Sequence, residues 1–159
     1  MTLARLGYTE HSFIHAGRVT QVAGMILDAL MFSKRDIELA KIAGYMHDIG
    51  NVINRTEHAQ SGAVMAYRLL DNMGMEAGDI AQVITAIGNH DENTAYPVDA
   101  VTAALIIADK TDVRSSRARN QDSTTFDQHD RVNFAVKESK VKVEDKKRIV
   151  VKIKLDKKI

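Results

Sequence analysis

Six side chains that could bind metal ions recur along the first two thirds of the chain. Each lies on the apolar face of a predicted helix or directly after one, so folding would bring them into the interior together. Imidazole nitrogens and carboxylate oxygens suit iron, manganese and other divalent transition metals. The candidate ligands are His15, His47, Asp48, His58, His90 and Asp109.

A single histidine on an apolar helical face is most often a hydrogen-bonded core residue. A buried carboxylate is rarer, because an unpaired charge is costly to remove from water. Five helices that each bury such a group independently would be a rare coincidence, whereas cations would neutralise and order the cluster. The sequence therefore favours a metal centre. The dipeptide at His129-Asp130 lies in a polar stretch and is expected to be solvated, and His11 is expected at the surface.

The hydrophobic periodicity predicts a mostly α-helical fold, with about five core helices and a C-terminal β-hairpin or small antiparallel sheet. Apolar residues three or four apart predict helices at about 10–31, 33–50 and 56–73, and two more from about 79 and 97. Ser33 is a suitable N-cap, and Pro97 a suitable helix start. Residues 114–130 are polar and without a clear period. From Arg131 onward apolar and polar residues alternate, which predicts strands with a turn at 144–147.

Charge divides the chain at the same place. Residues 131–159 carry a net charge of +7, from 11 basic against 4 acidic residues, whereas residues 1–130 carry −6. We therefore expect a helical metal-binding domain at 1–130 and a basic hairpin extension at 131–159. Because a hairpin alone is marginally stable, it should pack on the helices or form a homodimer through its strands. No aromatic side chains lie among its lysines, so nucleic acid is not an expected partner.

Composition excludes several classes of protein. The 159 residues are 45% hydrophobic and 27% charged, as in globular domains. The absence of cysteine excludes a disulfide scaffold, an iron–sulfur site and a thiol nucleophile. The sequence has no run of 18 apolar residues and no secretory signal, so we expect a cytoplasmic protein with no membrane partner.

The motifs around the candidate ligands resemble, in order and spacing, the HD-domain superfamily of metal-dependent phosphohydrolases. The resemblance spans about residues 9–117 and implies an HD-domain helical bundle. The motifs are HAGR at 15–18, HDIGN at 47–51, HAQSGA at 58–63, NHDE at 89–92 and ADKTD at 108–112.

This resemblance also implies a role for each ligand. Two divalent transition metals would be joined by Asp48, the catalytic bridging carboxylate. They would activate water for attack on a phosphoryl centre. The first metal would be held by His15, His47, Asp48 and Asp109, and the second by Asp48, His58 and His90.

The chain is also similar to the HD-GYP subgroup, which degrades cyclic di-GMP, but it departs from that pattern at three points. Asn51 replaces a lysine, Asp91 stands where a further histidine would be, and Tyr96-Pro97 lacks the preceding glycine. Asp91 is therefore a further candidate ligand of the second metal. Cyclic di-GMP is not implied as the substrate.

Several polar side chains near these motifs could contact a phosphate. Arginine and lysine beside a metal pair can neutralise and orient a phosphoryl group. The alternative for each is an ordinary salt bridge or a solvated helix end. Arg55 could also reach a ligand, and Arg117 and Arg119 could extend a basic rim. The candidate substrate contacts are Arg18, Asn51, Lys110 and Arg114.

The favoured function is hydrolysis of a phosphomonoester or phosphodiester, with a small phosphorylated molecule such as a nucleotide as substrate. A di-iron HD-domain oxygenase would use the same ligands, so ligand identity alone does not separate the two chemistries. A catalytically weak regulator that binds a nucleotide or metal is the third alternative.

Overall fold

The computed structural model describes residues 13–117 and 128–156, and His11 and Arg119 lie outside them. Most of the described chain is helical, with a two-stranded antiparallel sheet at its end, as the sequence predicts. Two short 3₁₀ helices, Ile49–Val52 and Ser115–Arg117, follow the second and fifth α-helices. The α-helices are α1 (Phe13–Ala29), α2 (Lys34–Met46), α3 (His58–Asn72), α4 (Ala77–Gly88), α5 (Ala100–Thr111) and α6 (Gln128–Ala135), and the strands are β1 (Val136–Glu144) and β2 (Arg148–Leu155).

Side-chain caps determine where two of these helices begin. The Ser33 hydroxyl accepts a hydrogen bond from the Asp36 amide at 3.1 Å, which confirms the predicted N-cap of α2. The Asp99 carboxylate accepts from the Thr102 amide at 2.7 Å. Helix α5 therefore begins at Ala100, three residues after the predicted proline start, because the aspartate satisfies an otherwise unpaired amide.

The core lies between α1, α2, α4 and α5, with α3 packed against α4. Many of its residues are small, which lets the helix axes approach closely. The polar ligand candidates lie at one end of this apolar core. The largest fully buried apolar side chains are Ile26, Leu27, Leu39, Ile87, Leu105, Val19, Val83 and Val101.

The hairpin places one face of its strands on the helices. Val141 pairs with Val151 and Val143 with Ile149, and both Val141 and Ile149 pack against the core. The predicted turn is confirmed, since β1 ends at Glu144 and the next two residues have positive φ angles of 54° and 55°. Paired positive φ angles match the right-handed twist of the flanking strands.

The predicted strand from Arg131 is wrong over its first five residues, which form part of α6 instead. Alternation of Val132 and Phe134 is a weak signal, because tertiary contacts readily override β-propensity in a short segment. Here α6 packs on the second 3₁₀ helix, and the Asn133 side chain accepts a hydrogen bond from the Arg114 amide at 3.1 Å. Asp130 is consequently buried, contrary to its expected solvation, and the His129 side chain lies outside the described part of the structure.

The described segments contain no helix suited to spanning a membrane. None of the helices there combines the length and the apolar character that crossing a bilayer requires. The longest, α1, has 17 residues and carries charged side chains.

Candidate metal centre

The six candidate ligands come from five separate parts of the helical bundle and meet at one end of it. All four histidines are exposed by 2% or less. His15 lies within α1, and His47 caps the C-terminus of α2. His58 begins α3, and His90 follows α4 by two residues. Asp48 follows α2, and Asp109 lies near the end of α5.

The first ligand group consists of His15, His47, Asp109 and the Oδ2 atom of Asp48. Nε2 of His15 lies 3.2 Å from Nε2 of His47 and 3.2 Å from Oδ1 of Asp109. Asp48 Oδ2 lies 3.3 Å from Nε2 of His47 and 3.6 Å from Nε2 of His15. Separations of this size are those between neighbouring ligands of one ion with bonds of about 2.1 Å.

The second ligand group consists of His58, His90, Asp91 and the Oδ1 atom of Asp48. Nε2 of His58 lies 3.3 Å from Nε2 of His90 and 3.4 Å from Asp48 Oδ1. Asp91 is more distant, with its Oδ1 atom 4.0 Å from Nε2 of His58. The two oxygens of Asp48 therefore face the two groups, as a bridging carboxylate requires.

Hydrogen bonds at the outer ring nitrogens define which histidine nitrogens are available. Three of the histidines donate from Nδ1 to a backbone carbonyl: His47 to Gly44 at 2.8 Å, His58 to Arg55 at 3.0 Å and His90 to Ile87 at 2.6 Å. Nδ1 of His15 donates to a carboxylate, that of Asp112, at 2.8 Å. In neutral rings of this tautomer every Nε2 carries a lone pair, and these lone pairs converge on each other.

Converging acceptors need a positive charge between them, which is either a proton or a metal ion. The surroundings of His47 illustrate this, because the charges of Asp48 and Asp109 outweigh burial and raise the pKa of His47 to about 9. Burial and the charge of His47 lower the pKa of His90 to about 4. Burial would raise the pKa of Asp109, but its contact with His15 and the charge of His47 keep that pKa well below the usual value, so the carboxylate stays ionised. The donor set fits divalent metals, which would displace the proton from His47.

Two buried side chains that were not predicted to support the ligands, Asp112 and Arg117, do so in the first ligand group. Asp112 accepts the Nδ1–H of His15 and is itself held by Arg114, whose Nε lies 3.2 Å from Asp112 Oδ1. Arg117 is buried and donates to the backbone carbonyl of Asp112 at 2.6 Å. Burial would raise the pKa of Asp112, but its hydrogen bonds to His15 and Arg114 lower it. A carboxylate on the far side of a histidine ligand orients the ring and raises its basicity.

We expect Asp112→Asn to weaken metal binding by about 10- to 100-fold, the usual effect of losing a supporting carboxylate. Asparagine keeps the shape of the side chain but removes the charge that polarises His15. The dissociation constant for Mn²⁺, measured by calorimetry, tests this. Asp71→Asn, at an exposed position on α3, is the matched control. Equal affinities in the two variants would contradict a supporting role for Asp112.

Two of the predicted substrate contacts lie directly against the ligands. Asn51 is buried, and its Nδ2 atom donates to Asp48 Oδ1 at 2.7 Å. Lys110 is exposed, and its Nζ atom lies 2.9 Å from Oδ2 of Asp109. Lys110 can therefore present its charge at the edge of the centre, whereas Asn51 positions the Asp48 carboxylate.

The predicted arginine contacts are distributed differently. Arg18 is exposed and lines a groove between α1 and β1 together with Thr111 and Ser139. Arg114 bonds to Asp112 and, through Nη1, to the Ser116 hydroxyl at 2.8 Å. The expectation that Arg117 joins a basic rim is wrong, because the side chain is buried against the Asp112 backbone.

Arg55, which the sequence indicated only as a residue that could reach a ligand, lies closer to the second ligand group than Arg18 or Arg114. Its guanidinium contacts the second ligand group, with Nη1 lying 3.1 Å from Nε2 of His58 and 3.6 Å from Asp48 Oδ1. Nothing in its local sequence signals this. The contact depends on the turn at 53–57, where Glu57 has a φ of 56° and brings the chain back into α3.

Comparisons with known proteins match the part of the chain that carries these side chains. A family model described as "HD domain" matches residues 12–117, which include every candidate ligand. The chain is 32% identical over 112 residues to Ribonuclease Y of Deinococcus radiodurans, covering 63% of this chain and 18% of that protein. It is 27% identical over 143 residues to the uncharacterized protein MJ1020 of Methanocaldococcus jannaschii, covering 75% of this chain and 54% of that protein. The chain thus spans about half or less of these curated relatives, and no solved structure matches it.

Proposed function

The chain belongs to the HD-domain family of metal-dependent phosphohydrolases, and on that premise we propose that it hydrolyses a phosphomonoester or phosphodiester of a nucleotide at a centre for two divalent transition metals. The observation that carries this proposal is the placement of Asp48. Its two carboxylate oxygens face two groups of histidine nitrogens, at 3.3 Å from His47 and 3.4 Å from His58. A single carboxylate between two sets of histidine nitrogens is suited to joining two cations.

The roles proposed for the ligands follow from these contacts. His15, His47, Asp48 and Asp109 would hold the first metal, and Asp48, His58 and His90 the second, with Asp91 as a further candidate. Divalent metals would supply Lewis acidity, which activates water and neutralises charge on the phosphoryl group. The protein contributes rigid donors, because each histidine ring is fixed through Nδ1 and Asp48 is fixed through Asn51.

The substrate would approach from the side where polar groups remain accessible. Lys110 at the edge of the first ligand group is placed to neutralise a phosphate oxygen. Arg18, Asn51 and Arg114 remain proposed contacts, although Asn51 and Arg114 also have structural partners. The name of one relative, a ribonuclease, supports a nucleotide phosphodiester as the substrate class.

A hydrolysis assay under argon tests the proposed function. Protein loaded with Mn²⁺ would be offered an aryl phosphomonoester, an aryl phosphodiester, nucleoside monophosphates and short oligonucleotides, with product measured by chromatography. We expect metal-dependent hydrolysis of at least one phosphoester without oxygen. Binding without turnover across the panel would support the regulator instead. Activity only with iron and oxygen would support the oxygenase.

We also propose three properties that the sequence patterns indicate. The domain division near residue 130, a cytoplasmic location and a homodimer through the C-terminal strands rest on sequence patterns. The row of exposed apolar residues on β2, formed by Val151, Ile153 and Leu155, supports a partner for these strands.

A further inference from the structure

The two ligand groups differ in how a lysine or arginine side chain of the described residues approaches the atoms that would bind a metal. In the first group, Lys110 contacts Asp109 through Oδ2, whereas the Oδ1 atom of Asp109 faces His15. In the second group, the half-buried Arg55 guanidinium lies directly among the atoms that would bind a metal.

Arg55 contacts three members of the second ligand group. Its Nη1 atom donates to Nε2 of His58 at 3.1 Å and lies 3.6 Å from Asp48 Oδ1. Its Nη2 atom lies 3.8 Å from Oδ1 of Asp91. Asp48 Oδ1 also accepts a hydrogen bond from Asn51, so the same oxygen already has a neutral donor and a nearby positive charge.

The backbone around Arg55 holds the guanidinium near this position. The Arg55 carbonyl accepts hydrogen bonds from the His58 amide at 3.3 Å and from His58 Nδ1 at 3.0 Å. Both ring nitrogens of His58 therefore face atoms of Arg55. With Nδ1 donating, Nε2 is an acceptor, and it lies within hydrogen-bond distance of the guanidinium, at 3.1 Å from Nη1.

A guanidinium and a divalent cation cannot occupy this position together. Both need the His58 Nε2 lone pair, and their positive charges would repel at such a short distance. We propose that Arg55 is the resident cation of the second ligand group, so that the chain binds one divalent metal tightly and a second one only when the guanidinium is displaced. This inference rests on the proposed metal centre and does not depend on the reaction catalysed.

Titration with Mn²⁺ under argon, followed by calorimetry and electron paramagnetic resonance, tests the proposal. In the wild-type protein we expect one tight equivalent with the signal of an isolated Mn²⁺ ion, and a second equivalent that binds at least about tenfold more weakly. In Arg55→Gln the second equivalent should bind at least about tenfold more tightly than in the wild type, since the competing charge is gone. Its binding should produce the signal of a magnetically coupled pair.

Two further variants make the test specific. Arg55→Lys keeps the charge but loses the planar fork, so its second-metal affinity should lie between those of the wild type and Arg55→Gln. Arg68→Gln removes the same charge from an exposed position on α3 and should behave as the wild type. Unchanged affinity for the first metal shows that each variant is folded around the centre.

The outcomes separate this inference from the proposed function. Two equivalents of equal affinity in the wild-type protein, or an unchanged second affinity in Arg55→Gln, would overturn the role of Arg55 while leaving a metal-dependent hydrolase intact. Metal binding as described, but without hydrolysis of any phosphoester, would overturn only the proposed function. Failure of every variant to bind metal would overturn both.

Discussion

Asp48→Ala is expected to abolish phosphoester hydrolysis, with a fall in kcat/KM of about a thousandfold or more, because it removes a ligand from both metals at once. Asp48 Oδ2 lies 3.3 Å from Nε2 of His47, and Oδ1 lies 3.4 Å from Nε2 of His58. Replacing any one histidine would impair one ligand group, whereas this substitution impairs both. Metal content by elemental analysis and hydrolysis rate are measured on the same preparation.

Two controls separate loss of metal from loss of fold. The helices should remain, since Asp48 lies between α2 and the following 3₁₀ helix rather than in the apolar core, so the far-ultraviolet circular dichroism should be unchanged. Asp28→Ala, at an exposed position on α1, removes the same side chain elsewhere and should retain full metal content and activity. Full activity in Asp48→Ala would contradict the two-metal centre.

The convergence of the candidate ligands could be predicted from the sequence because its signal is local and repeated. Each candidate ligand continues the apolar stripe of a helix or follows a helix closely, and a helix presents one face to the core. His15 and Asp109 lie 94 positions apart in the sequence, yet both continue such stripes and meet at 3.2 Å. Spacing alone thus indicated which side chains would meet.

The supporting side chains could not be predicted in the same way. Asp112 belongs to the ADKTD motif, but its role depends on the direction of His15 Nδ1, a contact between residues far apart in sequence. Arg55 lies in an irregular turn, where periodicity carries no information about the direction of a side chain. Asn51 was predicted to contact substrate, and its hydrogen bond to Asp48 is a contact that spacing does not indicate.

The C-terminal region shows the limits of a short alternating pattern. Residues 131–135 alternate as a strand would, but they complete α6, and the strand begins only at Val136. Contacts with the second 3₁₀ helix, including the bond from the Arg114 amide to Asn133, stabilise the helix. A five-residue alternation contributes less free energy than such packing, so tertiary structure decides the outcome.

Gly50→Ala is expected to destabilise the protein by about 3 kcal/mol or more, with a fall in Tm of about 10 °C. Gly50 is buried in the 3₁₀ helix that follows Asp48, where it packs against the start of α3. An added Cβ would overlap the carbonyl oxygen of His58 and approach the Gly62 nitrogen to 2.6 Å. Both are backbone atoms, so the clash cannot be relieved by rotating a side chain.

The same clash connects stability to the metal centre. To make room for the methyl group, the start of α3 must move away from the 3₁₀ helix, and His58 is its first residue. Any folded Gly50→Ala protein should therefore lose affinity for the second metal before the first, because His15, His47 and Asp109 lie on α1, α2 and α5. Gly78→Ala, where an added Cβ meets nothing within 4 Å, is the control and should be as stable as the wild type or slightly more so. Equal Tm values for the two variants would show that α3 can shift without a loss of folding free energy. The close approach of Gly50 to α3 would then not be what positions His58.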